Sequence, residues 1–163
     1  MSGNIDTREF LINDYDAAVE LWQRVEGLEI AEGDDRESVA QFLARNPGLS
    51  RLATDGSKTV GAALCGHDGR RGHIYHLAVD PAYQGRGLGK RLLDKCLEGL
   101  RRAGVKRVII MWRTIIRAAA AFGVDVVGRT FRAQSVWELI FRMFGLPDLG
   151  IGVASKHLTF NLR

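Results

Sequence analysis

The sequence predicts a single mixed α/β domain, and three observations carry that expectation. Its 163 residues, 46% hydrophobic and 26% charged, suit one globular core spanning 1–163. Strand-like and helix-like segments alternate from residue 5 to residue 112. A glycine-rich loop joins an apolar strand to an amphipathic helix and a second apolar strand, the order of a βαβ unit.

Ile5 to Phe10 reads as the first strand. Asn13 reads as the cap of a helix over Tyr15 to Trp22, where apolar residues recur at helical spacing. Val39, Phe42 and Leu43 form a second helical stripe, stopped by Asn46-Pro47-Gly48, and the acid-rich stretch before it reads as a solvated loop. Leu49 to Thr54 and Thr59 to Cys65 read as strands joined at Asp55-Gly56, and Asp68-Gly69 turns the chain into a third antiparallel strand, His73 to Val79. Leu88, Leu92, Leu93, Cys96, Leu97 and Leu100 mark one face of a helix that Gly104 ends. Val108-Ile109-Ile110-Met111 is the continuous apolar run of a strand covered on both faces.

Composition excludes several classes. The first residues lack a basic segment followed by an apolar one, and no apolar run approaches bilayer length, so a cytoplasmic protein without a membrane partner is expected. Cys65 and Cys96 lack metal-site or disulfide-scaffold spacing; buried thiols and no metal are expected. The formal net charge of +4 is uneven, because residues 1–112 hold 16 basic and 16 acidic side chains and residues 113–163 hold 7 and 3. The remaining positives cluster at Arg86, Lys90, Arg91, Lys95, Arg101, Arg102, Lys106 and Arg107, without the base-stacking aromatics of a nucleic-acid surface. No nucleic-acid partner is expected; a small polyphosphate suits the cluster better.

Gln84-Gly85-Arg86-Gly87-Leu88-Gly89 opens the Leu88 helix, so its backbone N–H groups and the helix dipole favour a phosphate. Gly85, Gly87 and Gly89 allow close approach, and Arg86 and Lys90 add positive charge. Taken alone, the hexapeptide fits an ordinary turn about as well. A dinucleotide-binding loop would come after the first strand, whereas at least three strands precede this one, and no Ser or Thr follows Lys90 as in a Walker loop.

The longer stretch His76-Leu77-Ala78-Val79-Asp80-Pro81-Ala82-Tyr83-Gln84-Gly85-Arg86-Gly87-Leu88-Gly89 resembles the central motif of the GNAT acetyltransferase superfamily. The resemblance covers residues 5–112 by element order. It implies a mixed, splayed central sheet flanked by helices, acetyl-CoA as co-substrate, and direct transfer to a primary amine of a small molecule or protein. By resemblance, Leu77, Ala78 and Val79 present backbone groups to the pantetheine arm and the thioester carbonyl, and Gln84, Gly85, Arg86, Gly87, Leu88, Gly89 and Lys90 hold the pyrophosphate.

Transfer to an amine needs a proton acceptor and a proton source for the leaving thiolate. Strand alternation places His73, Tyr75 and Leu77 on one face, with His73 four residues before Leu77, where similar proteins carry a base. His73, Tyr75 and Glu26 are the catalytic candidates, with Glu32 an alternative acid from the first loop. Alternation turns His76 to the opposite face, as a packing residue. Trp22 reads as core.

Beyond residue 112 the resemblance ends: Arg113 to Gly128 lacks the family's Asn, aromatic pair and Gly-aromatic pattern, and no tyrosine occurs after Tyr83. Translating permitted codons for Trp112 to Gly128 out of frame restores Ala-Asp-Asn-Asn-Pro-Gly, a Phe-Trp pair and a closing Gly-Trp. A frameshift near Met111–Arg113 is therefore an expectation. Read as it stands, the tail offers a helix at Ala118 to Phe122, a strand at Val124 to Arg129, a helix at Val136 to Phe144 and a last strand at His157 to Leu162. This departure opens two further readings: an acyl-CoA-binding or regulatory domain with little catalysis, and a homodimer formed through apolar residues such as Trp137 and Phe141.

Overall fold

A computed structural model describes residues 5–25, 28–111, 152–154 and 157–161. The strands are β1 (Asp6–Glu9), β2 (Arg51–Asp55), β3 (Lys58–His67), β4 (Arg71–Val79), β5 (Arg107–Met111), β6 (Gly152–Ala154) and β7 (His157–Asn161). The helices are α1 (Tyr15–Arg24), α2 (Arg36–Arg45) and α3 (Leu88–Arg102). The strands form one mixed sheet in the order β1-β2-β3-β4-β5-β7-β6. Only β4 and β5 pair in parallel among the described strands, as a crossover through α3 requires. The expected elements up to β5 are all present, as is the last strand, β7. Glu26, the expected tail elements at 118–144 and the frameshift position beyond Met111 lie outside the described residues.

One local expectation is corrected. The residue before α1 is Asp14, in helical geometry with no side-chain cap, while Asn13 sits inside a single 3-10 turn, Ile12–Asp14. The Asp14 carboxylate receives both Arg8 guanidinium nitrogens at 2.7 Å and the Leu11 N–H at 2.9 Å. These bonds tie β1 to α1, a longer-range role than a cap. In α2 the cap is regular: Asp35 accepts the Ser38 N–H at 3.0 Å.

The inner strands face two apolar clusters, and the adjacent Leu52 and Ala53 of β2 turn to opposite ones, as the two-residue period of a strand demands. Leu52, Ala62, Leu64 and Ala78 pack with Phe10, Leu21 and Trp22 beneath α1 and α2. Ala53 and Val60 pack with Leu88 and Leu92 of α3 on the other face. Glycines let α3 sit close to the sheet. A Cβ at Gly61 would lie 2.8 Å from Leu92 Cδ1, and one at Gly72 2.7 Å from Leu100 Cδ1.

The strand alternation expected for β4 fails at its midpoint. Tyr75 pairs with Leu64 and Ala78 with Ala62, so His76 and Leu77 together oppose Ala63 alone. This is a β-bulge, and His76 takes a positive φ of 50°, a left-handed conformation costing about 1–3 kcal/mol for a non-glycine residue. The extra residue reverses the facing of the rest of the strand. Tyr75 joins the α1/α2 cluster and Leu77 the α3 cluster, so His73, Tyr75 and Leu77 do not share a face. His76, expected on the opposite face from Tyr75, packs with Trp22 on the same side.

Candidate functional site

The parallel ladder between β4 and β5 stops at Ile74↔Ile110, while β4 continues to Val79. The bulge lies beyond the last described pair, toward the end of β4.

The glycine loop meets the same end of β4. After Asp80 a single turn, Pro81–Tyr83, leads into Gln84, whose side-chain amide donates to the Val79 carbonyl at 3.0 Å. Gly85 and Gly87 have φ of 73° and 74°, and Gly87 is the left-handed N-cap of α3 with no side-chain bond to the helix end. The first helical bond comes from Arg91 N–H to the Gly87 carbonyl at 3.0 Å. The N–H groups of the preceding turn therefore face outward, as at any uncapped helix start. A Cβ at either Gly85 or Gly87 would meet nothing within 4 Å, so the glycines serve the backbone conformation and the open space before it.

Positive charge surrounds this end. Arg86 and Lys58 each lie 5.2 Å from the centre of the Tyr83 ring, and Lys90 reaches Asp94 at 2.6 Å. The Tyr83 hydroxyl donates to Asp55 at 2.8 Å, an acceptor that raises the phenol above its ordinary value. Asp80 anchors the turn: its carboxylate accepts the Ala82 N–H at 3.0 Å and pairs with Lys58 at 3.1 Å and Arg24 at 3.5 Å. Burial pushes that carboxyl up, but these donors outweigh it and hold it below the usual value.

On the α1/α2 face His73 and Tyr75 stack with ring centres 5.8 Å apart, and Phe42 meets Tyr75 edge-on at 6.0 Å. Burial, then the nearby Asp68 charge, raises the Tyr75 phenol, which keeps it protonated. His73 is paired through its backbone on both sides, with Gly66 of β3 and Ile109 of β5. Beside them lies a residue that no local pattern links to β4: Asp34, between α1 and α2, reaches His76 with Oδ2 3.2 Å from Nε2. The Gln84 amide thus joins the glycine loop to the end of β4, and His73 and Tyr75 lie on the face of β4 opposite Leu77 and Val79. Among the described residues no group of three metal-ligating side chains occurs, and no helix is long and apolar enough to cross a membrane.

The end of β4 and an uncapped, glycine-built helix start thus meet in a mixed α/β domain. The acetyltransferase (GNAT) family model matches residues 14–122, and the chain belongs to that family. An acetyltransferase of Pectobacterium atrosepticum is 29% identical over 109 residues, covering 67% of this chain and 77% of that protein. A GNAT-family acetyltransferase structure from Staphylococcus aureus superimposes with a TM-score of 0.64 at 15% identity, covering 98% of this chain and 100% of that one. A Mycobacterium tuberculosis protein crystallised with CoA gives a TM-score of 0.58 at 21% identity, covering 97% and 99%.

Proposed function

We propose that the protein is an acetyl-CoA-dependent N-acetyltransferase that passes the acetyl group directly to a primary amine of a small molecule or protein in the cytoplasm. The observation that carries this reading is the meeting, at the end of β4, of the Val79 carbonyl with Gln84 and the left-handed glycine start of α3. The Gly85–Lys90 backbone, with Arg86 and Lys90 beside it, holds the pyrophosphate. Backbone groups of Leu77 to Val79 run along the pantetheine arm, and an N–H there polarises the thioester carbonyl as negative charge develops on its oxygen. The α3 face holds the donor and the α1/α2 face receives the amine, with His73 and Tyr75 lining the latter.

Calorimetric titration with acetyl-CoA tests the donor site before any acceptor is known. One-to-one micromolar binding supports the reading; a folded sample that binds neither acetyl-CoA nor CoA refutes it. The lack of any tyrosine after Tyr83 favours one alternative, an acyl-CoA-binding domain with little catalysis. Binding without thiol release across a broad panel of amines would establish that alternative.

A further inference from the structure

His76 occupies the one non-glycine position of positive φ among the described residues, inside the bulge and next to Leu77. Three contacts define its ring. Nε2 is 3.2 Å from Asp34 Oδ2, the indole of Trp22 lies 4.7 Å away between ring centres, and Nδ1 is buried with no hydrogen-bond partner. Asp34 is itself held from two sides, its Oδ2 accepting the Ala31 N–H at 2.8 Å and its carbonyl accepting the Tyr15 hydroxyl at 2.8 Å. The indole Nε1 of Trp22 is a second buried nitrogen without a partner. Buried polar atoms without partners are uncommon, and each calls for an explanation such as a catalytic role or a bound water.

A carboxylate on Nε2 selects the tautomer with hydrogen on that nitrogen, which leaves the lone pair on Nδ1. The backbone of the same residue lies in the β4 bulge, next to Leu77. His73 is placed differently: its backbone pairs with both β3 and β5, and its ring stacks on Tyr75.

We propose that Asp34 and His76 form the proton-accepting pair of the transfer reaction, with His76 the catalytic base through Nδ1 and Asp34 the residue that positions it. The proposal rests on the acetyltransferase reading above. The amine nitrogen attacks the thioester carbon, the C–N bond forms, and the C–S bond breaks with its electron pair on sulfur. The proton lost by nitrogen passes to Nδ1, directly or through one water, and then to the thiolate, giving amide and thiol with no net change in protons. Asp34 stabilises the transient imidazolium.

The test combines nitrogen-detected NMR of histidine-labelled protein with kinetics of thiol release from acetyl-CoA, using water alone and a panel of primary amines. His76→Asn is the informative variant, because Asn tolerates the left-handed backbone that the bulge needs; Asp34→Asn removes the charge and keeps an acceptor for Ala31. In wild type the His76 resonances, assigned by their loss in His76→Asn, should show hydrogen on Nε2 and a bare Nδ1, and Asp34→Asn should shift that balance. Thiol release should fall about 10²- to 10⁴-fold in His76→Asn with acetyl-CoA affinity and melting temperature retained. A neutral ring carrying hydrogen on Nδ1, or unchanged thiol release in a folded variant, overturns the proposal while leaving the acetyltransferase reading intact. Failure of wild type to bind acetyl-CoA would instead remove that reading, and this pair's role with it.

Discussion

Replacing Gly87 by alanine separates the two functions of the residue that starts α3. Its φ is 74° and an added Cβ would meet nothing within 4 Å, so the whole penalty is conformational. A left-handed alanine costs about 1–2 kcal/mol. For a domain of this size each kcal/mol lowers the melting temperature by roughly 2–4 °C, so a fall of about 2–8 °C is expected by differential scanning calorimetry. If the alanine pulls the loop out of the left-handed region, one or more outward N–H groups leave the phosphate. Each such charge-assisted bond contributes about 1.5–3 kcal/mol, so acetyl-CoA should bind roughly 10- to 150-fold more weakly per bond lost. Gly56, with φ of 59° in the β2–β3 turn and equally open space, provides the control. Gly56→Ala should lower stability similarly and leave acetyl-CoA affinity unchanged. Equal melting temperature and affinity in Gly87→Ala and wild type would refute the reasoning from backbone geometry; equal affinity losses in both variants would refute the assignment of the ligand to this loop.

Trp22 is fully buried against Phe10 and His76, so Trp22→Ala should destabilise by about 3–5 kcal/mol in urea unfolding. Asp14 is held below its ordinary value chiefly by its hydrogen bond to Arg8. A lowered folded value means stabilisation that is present above the unfolded carboxylate value of about 3.9 and lost as pH falls through the folded one. The urea midpoint of wild type should therefore exceed that of Asp14→Asn at pH 7, and the gap should narrow as pH falls below the unfolded carboxylate value; a gap independent of pH would count against the ion pair. We propose that a frameshift near Met111–Arg113 replaced the C-terminal third. Sequencing the gene decides this, since codons for Trp112 to Gly128 that cannot yield the Asn-Pro-Gly and Gly-Trp pattern out of frame end the idea.

Elements built from local periodicity were legible. The α3 stripe and the β5 apolar run each come from one continuous segment, and the structure places both as the sequence predicts. The Gln84–Gly89 loop was legible for the same reason: its glycines and the helix it opens are adjacent in the chain. The bulge at His76 was not, because a two-residue alternation counts residues along one strand, whereas a bulge is a mismatch between two. The error then carried forward, placing Leu77 with Tyr75 and His76 away from it. The Asp34–His76 contact was hidden differently, since it joins residues 42 positions apart and the acidic loop reads by composition as solvated. The displaced cap at Asp14 has a similar cause, because an arginine on β1 claims the carboxylate.

The division of the apolar interior into two clusters on opposite sides of one sheet has an evolutionary consequence. A substitution beneath α3 alters residues that seat the glycine loop, and one beneath α1 and α2 alters the surroundings of His73, Tyr75 and His76, with few side chains shared between them. Destabilising effects of such distant changes should add nearly independently. Selection can then remodel the α1/α2 side toward new acceptors while the α3 side stays constant. Inheritance of the two halves of the reaction is in that sense modular within a single domain, with β4 as the strand whose residues answer to both.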